Sequence, residues 1–227
     1  MISLNIQQKS IIKFLKLSNK LKIQYLNYYI SISFRQVLYF LTGFIPKLNL
    51  KIKNVTYGKK LLIIGGIILD IFPESKVIIK DNVSIISDPK RCSASTLYSK
   101  TKLKTFSPSS TIIIGEGTGL NGTSITSRSK KITIGKNCMF APNTIIVDSD
   151  FHIPWPPKNR NIYLGCERDN DIIIGDNCWV GMNTIILKGV KIGENSVIGA
   201  GSIVNKDIPP NSLAAGNPAK IIKQYIN

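Results

Sequence analysis

One side chain in this 227-residue sequence ordinarily titrates near neutral pH, the single histidine, His152. It ends the run Val147-Asp148-Ser149-Asp150-Phe151-His152, and Pro154, Pro156 and Pro157 follow closely, stiffening the segment and holding Trp155 against a surface. An imidazole with an ordinary pKa of about 6.5 can take a proton from a hydroxyl and return it to a leaving group, which is general-base chemistry. A packed or exposed bystander is the other reading of a lone histidine, and its sequence neighbours leave both open. Serine and thiol nucleophiles have less support. No Gly-x-Ser-x-Gly elbow is present. Cys92, Cys138, Cys166 and Cys178 lie 46, 28 and 12 residues apart with no Cys-x-x-Cys pair, the pattern of reduced structural thiols.

The elements that must position His152 are set by a period of six. From Ile174 the chain reads IGDNCW, VGMNTI, ILKGVK, IGENSV, IGAGSI and VNKDIP, with branched apolar residues at Ile174, Val180, Ile186, Ile192, Ile198 and Val204. The fifth place of the first five hexads is small or β-branched: Cys178, Thr184, Val190, Ser196 and Ser202. IGKNCM and FAPNTI repeat the pattern from Ile134, IGEGTG and LNGTSI from Ile114, and IKDNVS more weakly from Ile79. Helices repeat near 3.6 residues and strands near two, so neither a long helix nor an ordinary sheet fits. A six-residue unit with one inward residue, one small residue and a Gly or Asn able to take positive φ suits a short strand plus a corner. Three such sides make an eighteen-residue coil, and stacked coils bury the Ile/Val columns as one core. The expectation is a parallel β-helix. The pattern lapses for 27 residues, 147–173, and His152 lies in that lapse, in a loop expected to protrude from one corner.

The hexads, the VDSDFH segment and the closing run AGSIVNKDIPPNSLAAGNPAKIIK, Ala200 to Lys223, together resemble the hexapeptide-repeat acetyltransferases, in particular sugar and polysaccharide O-acetyltransferases of the galactoside and maltose group. The similarity covers about residues 60 to 223. It implies a mainly β fold, a left-handed parallel β-helix, usually trimeric, with acetyl-CoA in a groove between neighbouring subunits. It also implies that His152, in its Asp150-Phe151-His152 context, is the catalytic base, with direct attack of a sugar hydroxyl on acetyl-CoA and no acyl-enzyme. Trp179, in the motif Trp-Val-Gly, would shape the acyl-donor channel. Gly181, Gly199 and Ala200 would let the pantetheine arm approach the backbone, although corner geometry alone also explains small residues there. Met182 stands where the family often has serine. Lys206, Lys220 and Lys223 match basic positions of the closing motif and are expected at the CoA phosphates. Asn121, Asp150 and Arg160 are the expected acceptor contacts. The acidic sugar contact of the galactoside group has no counterpart, since its place falls in Ser127-Arg-Ser-Lys-Lys131. Gamma-class carbonic anhydrases share the hexapeptide helix but bind zinc through three histidines; this chain has one, and no metal is expected.

Charge divides the chain. The formal net charge is +17, and residues 1–60 hold ten Lys and Arg35 with no acidic residue before Asp70. This arm, taken as 1–55 ahead of a 56–227 repeat domain, also carries Tyr25, Tyr28, Tyr29, Phe34, Tyr39, Phe40 and Phe44. Polar residues interrupt Ile23–Pro46 too often for a membrane span, and the first alanine is Ala94, so no secretory cleavage site is evident. Residues 8–45 are expected to form one or two helices. They would cap the open end of the β-helix, or rest on an anionic membrane surface through Lys9, Lys13, Lys16, Lys20 and Lys22 with Ile11, Ile12, Phe14 and Leu15. The location expected is cytoplasmic or peripheral at the inner membrane face. No nucleic-acid-binding module accompanies the charge, so nucleic acid is not an expected partner. An N-acyltransferase of an amino sugar and a non-catalytic scaffold are the competing functions.

Overall fold

The computed structural model describes residues 18–92, 96–162 and 165–225. It divides into two compact units between Leu41 and Thr42. In the first, helix α1 (Asn19–Thr42) exposes Ile23, Leu26, Ile30, Phe34 and Val37 along one stripe, with no acidic residue in its sequence. Residues 8–17 of the expected capping or membrane segment lie outside the described residues. No helix among the described residues is long and apolar enough to cross a membrane.

The second unit begins with helix α2 (Phe44–Ile52), whose first turn holds Pro46, where a missing N–H costs nothing. Its Leu50 is fully buried with Val55 and Leu61, covering the first coil. Short strands then fill three sheets in rotation. The first sheet includes β7 (Thr111–Ile114), β10 (Lys131–Ile134), β13 (Ile172–Ile174) and β16 (Lys191–Ile192). The second includes β5 (Ser84–Ile86), β8 (Gly119–Asn121), β11 (Met139–Phe140), β14 (Trp179–Val180) and β17 (Val197–Ile198), and ends in β19 (Ser212–Gly216) and β20 (Ala219–Gln224). The third includes β6 (Lys102–Thr105), β9 (Ser124–Ser127), β12 (Ile145–Val147), β15 (Ile185–Ile186) and β18 (Ile203–Val204). Four earlier strands complete the sheets: β1 (Thr56–Tyr57) and β4 (Lys76–Ile79) in the first, β2 (Leu62–Ile64) in the second and β3 (Ile68–Asp70) in the third. Each strand pairs in parallel with the strand three places on, except at the end of the second sheet, where β17 pairs in parallel with β19, two places on, and β19 pairs antiparallel with β20. The fold is a left-handed parallel β-helix.

The hexad logic holds in its details. Ile114, Ile134, Ile174 and Ile192 stack in register, as do Leu120, Phe140, Val180 and Ile198, and all are buried. Each such side chain contributes roughly 1.5–3 kcal/mol by leaving water. The fifth-place residues are buried because they tie coils together: Thr118 Oγ1 donates to Gly135 O (2.9 Å), and Cys138 Sγ to Gly175 O (3.1 Å). Asn137, Asn177, Asn195 and Asn211 take the positive-φ corner position, and the Asn177, Asn195 and Asn211 amides form a ladder at 3.2 and 2.9 Å. That ladder offsets the cost of a left-handed conformation with side-chain hydrogen bonds.

Two excursions leave the coil. Residues 148–171 depart from the corner between the third and first sheets, within the interval read as the loop. A shorter one, residues 87–101, joins β5 to β6 at the corner between the second and third sheets. Asn143 ties its described part down, accepting from Tyr98 N (2.9 Å) and donating to Thr96 O (3.0 Å).

Candidate functional site

The His152 loop is rooted in a buried polar cluster. Asp148, fully buried, accepts from the backbone N–H groups of Arg128 (2.7 Å), Lys130 (2.9 Å) and Ser129 (3.2 Å) in the corner of the preceding coil. Burial pushes its carboxyl pKa up, against the pull of those three donors. At the other end of the loop, buried Asp169 accepts from Arg128 Nε (2.9 Å) and Ser129 Oγ (2.6 Å). Asn170 N donates to Asp148 O (3.2 Å), closing the neck of the loop. Phe151, at φ 62°, receives the Arg128 guanidinium over its ring and packs edge-on against Phe106. A non-glycine residue in this conformation needs such support.

His152 follows and is exposed. Its Nδ1 lies 3.0 Å from the carbonyl oxygen of Arg160. A carbonyl only accepts, so Nδ1 carries the proton and the neutral ring keeps its lone pair on Nε2. Arg160 braces the same loop, its guanidinium donating to Pro154 O (2.8 Å). The Asp150 carboxylate is 2.5 Å from Lys188 Nζ, which also donates to Arg168 O (3.0 Å). Lys206 lies on this corner one coil further on, between β18 and the bridge at Ile208.

A second group of the expected residues gathers elsewhere. Trp179, half exposed, stacks on Met139 in the second sheet. Asn121 stands at the adjoining corner, its Nδ2 donating to Phe140 O (2.9 Å). Gly181, Gly199 and Ala200 continue that corner upward. A Cβ on Gly181 would lie 2.5 Å from Ala200 N, and one on Gly199 would lie 2.6 Å from the Ala215 Cβ, so coil stacking itself requires both glycines. Lys220 and Lys223 sit beside it on β20, with Lys223 Nζ 4.8 Å above the Tyr225 ring.

The coil thus places His152, Asp150, Arg160 and Lys206 at one corner and Asn121, Trp179, Gly181, Gly199 and Ala200 on and beside the opposite sheet. One chain does not bring the two sets together. The sequence carries no signal for the parts that Lys188 and Arg128 play in holding the loop; Lys188, a base in the third place of a hexad, is one lysine among many. Cys138 and Cys178 are wholly buried core residues. Hydrogen bonding between their thiols pushes Cys178 up and Cys138 down, and burial pushes Cys92 up. Among the described residues no group of three His, Cys, Asp or Glu side chains could hold a metal ion.

Residues 171–206 match the family model for the bacterial transferase hexapeptide (six repeats). The galactoside O-acetyltransferase of Escherichia coli strain K12 is 45% identical over 94 residues, 41% of this chain and 44% of that protein. The chain spans less than half the length of the first curated relatives it matches, 44% in each of three. A crystal structure of the polySia-specific acetyltransferase NeuO is 32% identical and covers 76% of this chain and 82% of that one, with a TM-score of 0.48. AntD, an N-acyltransferase from Bacillus cereus solved with dTDP and 3-hydroxybutyryl-CoA, shares the fold, with a TM-score of 0.58 at 19% identity over 79% of this chain and 88% of its own. With residues 171–206 matched to that model and acetyltransferase relatives 44–48% identical over part of their length, the chain carries the hexapeptide repeat of the bacterial transferases.

Proposed function

We propose that this protein is an acetyl-CoA-dependent O-acetyltransferase that modifies a sugar hydroxyl of a surface polysaccharide or its precursor, with His152 as general base. The observation that carries this reading is the 3.0 Å contact of His152 Nδ1 with the Arg160 carbonyl. It fixes a tautomer whose exposed Nε2 is free to accept the acceptor's hydroxyl proton as that oxygen forms its bond to the thioester carbon. The same nitrogen then returns the proton to the sulfur as the C–S bond breaks. Acetyl-CoA supplies the activated acyl group. Trp179 and the flat corner of Gly181, Gly199 and Ala200 would hold its pantetheine arm, and Lys206, Lys220 and Lys223 its phosphates. Asn121, Asp150 and Arg160 would serve the acceptor, Arg160 through the loop it braces and Asp150 in its pair with Lys188.

The separation of the two residue sets supports a homotrimer, in which the His152 corner of one chain meets the Trp179 sheet of the next. The acid-free α1 and its apolar stripe support peripheral attachment to an anionic membrane face. The test is release of free CoA thiol from acetyl-CoA with a panel of sugars. Sugar-dependent release giving an alkali-labile product supports the O-acetyltransferase; an alkali-stable amide points to N-acylation, and no release points to a scaffold.

A further inference from the structure

A cleft of about 280 Å³ opens on the second sheet, floored by Met139, bordered by Trp179 and walled by Asn121, Pro142 and Arg91. Arg91 comes from the shorter excursion, not from a hexad, and is the only charged residue among the described residues that line the cleft. The backbone that carries it is held in place. Arg91 N donates to Asp88 O (3.0 Å), Asp88 Oδ1 accepts from Lys90 N (2.8 Å), and Asn143 pins the far side of the excursion at Thr96 and Tyr98.

The lining has the chemistry of a sugar subsite. The Met139 thioether, 59% exposed, offers an apolar floor for the C–H face of a pyranose, and the Trp179 indole, 52% exposed, borders it where acceptor and acyl donor would meet. Asn121 uses its amide nitrogen on Phe140 O and retains its oxygen as an acceptor for a hydroxyl. A neutral sugar would need nothing more. A guanidinium beside such a floor matches a carboxylate or phosphate, which it can grip through two parallel N–H donors.

We propose that this cleft is an acceptor subsite for an anionic sugar unit, with Arg91 binding its carboxylate or phosphate. The proposal rests on the acetyltransferase reading for what the bound sugar then undergoes, but binding itself is separable from turnover. The full chain is titrated with hexagalacturonate against its methyl ester, and with glucose 1-phosphate against glucose. The wild type should bind at least one charged probe about 10- to 100-fold tighter than its neutral counterpart, the range for a charged hydrogen bond. Arg91→Gln should erase that ratio. Lys76→Gln, which removes the same charge from the first sheet, should leave it intact, and Met139→Ala should weaken charged and neutral probes alike. The responding pair tells carboxylate from phosphate. Equal affinity within both pairs overturns the proposal, as does an equal fall in the ratio for Lys76→Gln, or a raised KM for acetyl-CoA in Arg91→Gln with the ratio unchanged. Selective binding without thiol release leaves the subsite standing and removes the acetyltransferase reading alone.

Discussion

On the proposed mechanism, proton traffic comes down to the hydrogen bond between His152 and the Arg160 carbonyl, because that bond decides which ring nitrogen is bare. The backbone of Arg160 supplies it, so Arg160→Ala should retain the bond in principle and lose the brace from its guanidinium to Pro154. We expect kcat to fall while the KM for acetyl-CoA changes little, as for a residue that positions the base rather than the donor. Steady-state kinetics of Arg160→Ala check this; a raised KM for acetyl-CoA with normal kcat would move Arg160 to the donor site. His152 itself was legible, being unique and placed where the hexads lapse. Its partner was not, because a main-chain carbonyl carries no residue type to read.

At the scale of the element, the loop is held by contacts that close over 20 residues from Arg128 to Asp148 and 41 from Arg128 to Asp169. Nothing local announces them, whereas the hexads announce themselves. The wide second separation arises because the loop itself stands between coils, with Ile132 pairing Ile172 where earlier partners such as Ile112 and Ile132 are one coil apart. The shorter excursion escaped the sequence reading for a related reason: only a weak hexad precedes it, so a lapse there looks like the edge of the repeat. Asp148→Asn should cost about 1–3 kcal/mol, since its new amide donors would face the N–H groups of Ser129 and Lys130. The pH dependence has a definite sign. Burial raises the folded pKa of Asp148, so the folded chain binds this proton more tightly than the unfolded one. Its contribution to stability therefore falls as pH rises from the ordinary value of 3.8 to the raised one, and is constant above. Asp148→Asn removes that slope, which denaturant titrations across the acid range would register. At the corner, Gly181→Ala should destabilise by about 1–3 kcal/mol through its collision with Ala200, a change visible in thermal melting.

For the whole molecule, the regular period predicts the prism and its core well, because every coil poses the same packing problem and solves it with the same residues. It says little about how prisms associate. The proposed trimer has a decisive consequence: His152→Ala and Trp179→Ala chains, each inactive alone, should regain about one quarter of wild-type activity when unfolded together and reassembled, since some interfaces then pair an intact His152 with an intact Trp179. Absence of recovery would place the site within one chain. Removal of residues 1–41 should abolish binding to anionic vesicles, measured by co-sedimentation, while leaving the repeat unit folded; equal binding without them would end the membrane reading. These tests concern assembly and location, while the proposed chemistry rests on a single imidazole. The most direct measurement is thiol release from acetyl-CoA by the wild type and His152→Ala with the best sugar acceptor, at matched folding and oligomeric state. General-base catalysis by His152 requires the variant to lose about 10²- to 10⁴-fold in kcat, and near-normal turnover in His152→Ala would contradict it.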